Sequence, residues 1–202
     1  MGHAWIPHLF LYKLESSNYW VIDAVSVTGA RLSTATELAL GALTPDVTHL
    51  VVIGIQNDLI TTLNFPEGNL LVPRDDVSSE TIRQGVVELI ERVRRVVPGL
   101  PITFVVESCI DIVQYNRIHY PGYVDFIRLV MREAHASGTP DEWLRRQTVI
   151  NHVKARDVFR PGQGIPKDIR WQDCQDMIHR NHLYRATFDR FMRREYVVTG
   201  KV

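Results

Sequence analysis

The chain has 202 residues and a mass of 23.2 kDa, with 45% hydrophobic and 23% charged side chains, which suits one globular domain spanning residues 1–202. Lys plus Arg and Asp plus Glu each number 23, so zero net charge gives no general reason for nucleic-acid binding, and no run of about 18 apolar residues is present to span a membrane. Two cysteines, Cys109 and Cys174, cannot build a disulfide framework and point to a reducing, cytoplasmic compartment, while Met1 to Trp5 lack a signal peptide's layout.

Tyr19 to Val25 is short, aromatic and β-branched, which predicts a strand. Thr36 to Leu43 is rich in Ala and Leu and predicts a short helix, capped by Ser33 or Thr34 and stopped by Pro45. Thr48 to Ile55 is a nearly continuous apolar run, the pattern of a strand buried on both faces of a parallel sheet. Ile82, Val86, Leu89, Val93 and Val97 then recur at helical spacing after Ser78 and Ser79, and Pro98-Gly99 closes that helix.

Ile102 to Val106 predicts the next strand. Tyr123, Phe126, Ile127 and Val130 mark a helix closed near Gly138, and Thr139-Pro140-Asp141-Glu142 is a capped helix start. Thr148 to Val153 reads as a final strand, and a Pro- and Gly-rich loop leads to a last helix from about Asp176 to Tyr196. Alternating strands and helices predict an α/β domain of three layers, αβα, with a parallel sheet. Ligands in such folds bind beyond the carboxyl ends of the strands.

Three places there can carry chemistry. Asn57 follows the Thr48–Ile55 run, where its amide N–H groups can stabilise an oxyanion, although Asn57-Asp58 is also an ordinary turn dipeptide. Asp176 stands three residues before His179 and can orient its imidazole, as in a hydrolase dyad. That spacing is cheap, since Asp46 and His49 repeat it. Asp176, His179 and His182 also form a competing metal set, but no fourth ligand or recognisable zinc motif accompanies them. The third place is the start, Gly2-His3-Ala4-Trp5.

In this order the blocks resemble the SGNH (GDSL-like) hydrolase superfamily, in its Gly-His-Ser branch of animal and retroelement-encoded proteins. The resemblance implies a flavodoxin-like fold with a five-strand, mostly parallel sheet. It implies hydrolysis of a carboxylic ester, such as a small acyl ester, with no cofactor and no metal. It assigns His179 as general base, Asp176 as its orienting partner, and Asn57 and Gly29 to the oxyanion hole together with the backbone N–H of residue 4. The family's Gly two positions before the Asn is Ile55 here.

The position of the nucleophilic Ser is Ala4, which has no nucleophilic atom. Three explanations stand open: an engineered Ser-to-Ala change, a natural pseudoenzyme, or another nucleophile, with Ser26 and Ser33 nearest. The family's first strand precedes the nucleophile block, whereas Met1 opens the block here, so the expectation is that the frame extends upstream or another segment fills the slot.

The alternative is a non-catalytic binding module. Residues 1–90 carry 4 basic and 10 acidic side chains, and residues 91–202 carry 19 and 13. The basic second half, with Arg92, Arg94, Arg95, Arg145, Arg146, Arg190, Arg193 and Arg194, can meet RNA or an acidic protein. The competing reading is that these arginines solvate exposed helix faces.

Overall fold

The computed structural model describes residues 31–53, 55–107 and 111–174. The chain is α/β. Its elements run α1 (Leu32–Ala42), β1 (Leu50–Ile53), α2 (Gln56–Leu59), β2 (Ile60–Phe65), β3 (Gly68–Pro73), α3 (Ser79–Val96), β4 (Ile102–Glu107), α4 (Ile112–His119), α5 (Tyr123–Glu133), α6 (Pro140–Asp157) and β5 (Arg170–Cys174). The expected strand at Tyr19–Val25 and the last helix from Asp176 lie outside the described residues.

β1, β4 and β5 form a parallel sheet in that spatial order. Among the described residues this sheet has three strands, against the five expected. Val52 pairs with Phe104 and Phe104 with Trp171, so these three side chains share one face. That face joins a core with Leu89, Val93, Ile102 and Phe159. Val105, on the opposite face of β4, is also fully buried. A strand buried on both sides reads as an unbroken apolar run, as Ile102 to Val106 does apart from Thr103.

α3 packs against α1 and against α6; α3 and α6 lie in the crossovers β1 to β4 and β4 to β5, which step the same way across the parallel sheet and so put them on one face. α3 forms for the reasons legible in its sequence. The Ser78 hydroxyl accepts the Thr81 N–H at 3.0 Å, and Ile82, Val86, Leu89, Ile90 and Val93 are buried. Each such side chain is worth about 1.5–3 kcal/mol when removed from water.

Three local expectations are corrected. The helix expected at Thr36–Leu43 spans Leu32–Ala42, because neither Ser33 nor Thr34 caps it. The strand expected over Thr48–Ile55 is confined to Leu50–Ile53, and Gln56 already begins α2. The stretch Thr148–Val153 is not a strand but the middle of α6, which starts on a full capping box. Thr139 N–H donates to Glu142 Oε2 at 3.0 Å, and Glu142 N–H donates to Thr139 Oγ1 at 3.3 Å.

Five elements carried no expectation, namely the strands β2, β3 and β5 and the short helices α2 and α4. β2 and β3 form an antiparallel hairpin through Pro66 and Glu67. Phe65 anchors it on the helices, stacked on Tyr120 at 4.9 Å between ring centroids and edge-on to Phe126 at 5.6 Å. In β5, only Trp171 and Cys174 of its five residues are apolar, and parallel pairing along β4 supplies the rest of its order.

Candidate functional site

β1 ends at Ile53, and the next described residues turn at once into α2. Asn57 is therefore four positions beyond the carboxyl end of β1 and partly buried. β5 ends at Cys174 on the same edge of the sheet, separated from β1 by β4. Asp176 and His179 follow two and five positions later in the chain and lie outside the described residues, as do Ala4, Gly29, Ser26 and His182. Of the expected site residues, Asn57 alone is described.

Asp58 is the neighbour that sequence reasoning passed over. Its Oδ2 accepts the backbone N–H of Leu32, the first residue of α1, at 2.9 Å. Burial pushes its carboxyl above the usual value of 3.8, while the Leu32 N–H and the guanidinium groups of Arg31 and Arg74 pull it back down. Arg74 itself is ion-paired to Asp76. The only sequence signal for this bond is negative: the first turn of α1 contains no acidic residue of its own.

The backbone around Asp58 is held from two sides. Arg74 N–H donates to Leu59 O at 3.0 Å, closing β3 onto the end of α2. Asn151 Nδ2, on α6, donates to Leu59 O at 3.1 Å and to Arg74 O at 2.7 Å. Asp58 N–H donates to Ile55 O at 3.0 Å. The segment bearing Asn57 is thus fixed to the hairpin and to α6.

The second Asp-x-x-His spacing makes no dyad. His49 Nε2 lies 3.0 Å from Thr103 Oγ1, whereas Asp46 accepts from the Thr44 hydroxyl. Both sit at the amino end of β1, away from Asn57. Ser33, one alternative nucleophile, is exposed on the first turn of α1. Among the described residues no cluster of His, Cys, Asp and Glu is placed to hold a metal ion, and no helix is long and apolar enough to cross a membrane.

The arginines of α3 are engaged by carboxylates. Arg92 pairs with Glu37 of α1 at 2.5 Å, Arg94 with Asp168, and Arg95 with Glu91 at 3.9 Å. On α6, Arg146 donates to the Ser137 carbonyl at 3.1 Å, and Arg145 is exposed. Arg190, Arg193 and Arg194 lie outside the described residues. No protein-family model, no curated protein and no solved structure matches the chain.

Proposed function

We propose that the chain is an SGNH-type carboxylic ester hydrolase domain whose chemistry needs Ser at position 4. The reading adds strands to the β1-β4-β5 sheet, Tyr19–Val25 among them, to reach five, and it puts the protein in a reducing, intracellular compartment. The observation that carries it is the order of the parallel strands. β1 runs into Asn57, β5 ends two positions before Asp176, and both strands finish at one edge with β4 between them. An oxyanion donor and a general base approaching one substrate need such a shared edge.

In the Ala4→Ser form, the hydroxyl of residue 4 attacks the ester carbonyl and His179 takes its proton. Asp176 holds the ring and stabilises the imidazolium. The tetrahedral oxyanion is held by the Asn57 side chain and by the backbone N–H groups of Gly29 and residue 4. Its collapse breaks the ester C–O bond, and the alcohol leaves with the proton from His179. Water, deprotonated by His179, then releases the acid and frees the hydroxyl.

The test is hydrolysis of p-nitrophenyl acetate by the chain and by its Ala4→Ser form. Turnover that appears in Ala4→Ser and disappears again in the Ala4→Ser, His179→Ala double variant supports the reading. No turnover in either form overturns it. Binding to RNA that weakens steeply with salt would then favour the non-catalytic module. The carboxylate partners of Arg92, Arg94 and Arg95 weigh against that outcome.

A further inference from the structure

We propose that the outer edge of β2 is a self-association surface, on which a second copy of this chain adds its own β2, antiparallel, about a twofold axis at Leu63. The inference is independent of the hydrolase reading.

The hairpin ladder fixes which backbone groups face outward. In an antiparallel pair, residues bonded across the ladder alternate with residues whose N–H and C=O point away from it. The Arg74 N–H donates to Leu59 O at 3.0 Å, across the ladder. Leu71 gives both of its backbone groups to Asn116, on the far side. The register is unbroken from Ile60 with Pro73 to Phe65 with Gly68, and both observations set the same phase. Thr61, Leu63 and Phe65 bond toward β3, while Ile60, Thr62 and Asn64 turn N–H and C=O outward. Pro73, which has no N–H, stands opposite Ile60, where the ladder asks for none.

Ile60 is 7% exposed, whereas Thr62 and Asn64 are both exposed. Two successive outward positions are therefore accessible, and among the described residues no strand pairs with them. The two edges of the hairpin differ in this. The β3 edge is blocked by the buried amide of Asn116. The β2 edge has none of the devices that keep strands apart: no charge and no Pro from Ile60 to Phe65, and no bulge.

The lack of charge lets this strand lie against its own copy without like-charge repulsion, and the accessible groups set the register. Thr62 pairs with Asn64 of the second copy and Asn64 with its Thr62, each pair exchanging two N–H···O bonds. Leu63 then faces Leu63 of the second copy across the axis, and Thr61 faces Phe65. Leu63 and Phe65 already pack on the core, so the apolar side of the hairpin continues into the joined sheet. An axis at Thr62 would instead call on Ile60, which is covered. A lone two-stranded sheet is marginal, and joining two of them removes that weakness. One short strand falls short of the roughly 1,200–2,000 Å² of a stable interface, so the dimer is weak and depends on concentration.

The experiment is sedimentation equilibrium of the full chain from micromolar to millimolar concentration, with amide exchange over β2. The average mass is expected to climb from 23.2 kDa toward twice that value, and exchange at Thr62 and Asn64 to slow in step. Asn64→Pro removes an outward N–H and no ladder bond, so it should keep the parent's circular dichroism and stay at the monomer mass. Leu63→Cys sets two thiols on the axis, in a non-bonded pair with Cα atoms about 4.5 Å apart. Oxidation should link it into a dimer much faster than Asn69→Cys on β3, and beyond any linking of the parent through Cys109 and Cys174.

A parent that stays monomeric to millimolar concentration overturns the proposal, as does a dimer that a folded Asn64→Pro leaves intact. If Asn64→Pro does not fold, Leu63→Cys decides, and linking no faster than in Asn69→Cys overturns it. Thr62 and Asn64 amides protected in a monomer would mean that the chain covers its own edge. A monomer that takes up an extended peptide there would mean a different occupant. Either result overturns the second copy.

Discussion

The side-chain amide of Asn116 is hydrogen-bonded twice to the backbone of Leu71. Leu71 N–H donates to Asn116 Oδ1 at 2.8 Å, and Asn116 Nδ2 donates to Leu71 O at 2.8 Å. An antiparallel strand offers each residue's N–H and C=O pair to one side only. Leu71 turns its pair away from β2, and Asn116, fully buried on α4, stands where a further strand would be. The hairpin edge is thereby closed without more sheet.

Asn116→Ala leaves a buried N–H and a buried carbonyl without partners. At about 1–3 kcal/mol for each such group, the expected loss is about 2–6 kcal/mol in urea unfolding. Asn116→Asp should cost at least as much, since a carboxylate oxygen would then face the Leu71 carbonyl. A loss below about 1 kcal/mol for both variants would show that this edge does not depend on the amide.

Gly68 closes the same hairpin at its other end. Its φ is +146°, and a Cβ there would stand 1.9 Å from the carbonyl oxygen of His119, the last residue of α4. The clash is with backbone, so no side-chain rotation relieves it. Gly68→Ala is expected to destabilise the fold by about 3 kcal/mol or more, with the near-ultraviolet signal of the Phe65–Tyr120 stack reduced. A variant as stable as the parent would mean that the hairpin can lift from α4 at no cost.

The parts of the fold legible in sequence were those whose determinants are local. Ser78 before the period of α3, the Thr139–Glu142 box and the apolar run of β4 all have their partners within a few residues or in a continuous core. α1 was misplaced by four residues because its cap is Asp58, which no local pattern could reveal. Thr148–Val153 read as a strand because α6 carries Val149, Ile150 and Val153 on its outer side, where they are 56%, 41% and 39% exposed. Those apolar residues erase the polar half of the helical period, while Thr148, Asn151 and His152 are the ones buried. The hairpin has no local signal because it is held by Asn116 and Tyr120, both outside its own sequence. At the candidate site, the apolar run before Asn57 is legible, whereas the hydrogen bond from Asn151 Nδ2 to the Leu59 carbonyl, which ties that turn to α6, has no local signal.

His49 supplies a pH dependence. Burial, and then the nearby Arg170 guanidinium, hold its imidazole below the usual 6.5. The unfolded chain therefore takes up this proton more readily than the folded one. Stability from His49 is present above about pH 6.5 and is lost as pH falls from there through the lowered folded value. The urea midpoint should drop on acidification across that window, and His49→Gln should remove its share of the drop. Arg170→Gln should move the His49 titration, followed by nuclear magnetic resonance, upward. Parent and His49→Gln profiles that superimpose would refute this account.

In the proposed hydrolase, Asn57 is the described residue whose loss would bear most directly on catalysis. Its amide has work to do only when the carbonyl oxygen carries charge, so its contribution belongs to the transition state and not to substrate binding. In the Ala4→Ser chain, Asn57→Ala is expected to lower kcat on p-nitrophenyl acetate by about 10²–10³-fold with KM changed far less. Asn57→Asp should be at least as inactive, since it sets a negative charge beside a developing oxyanion. A rise in KM with kcat preserved would make Asn57 a ground-state contact, and an unchanged enzyme would remove it from the site altogether.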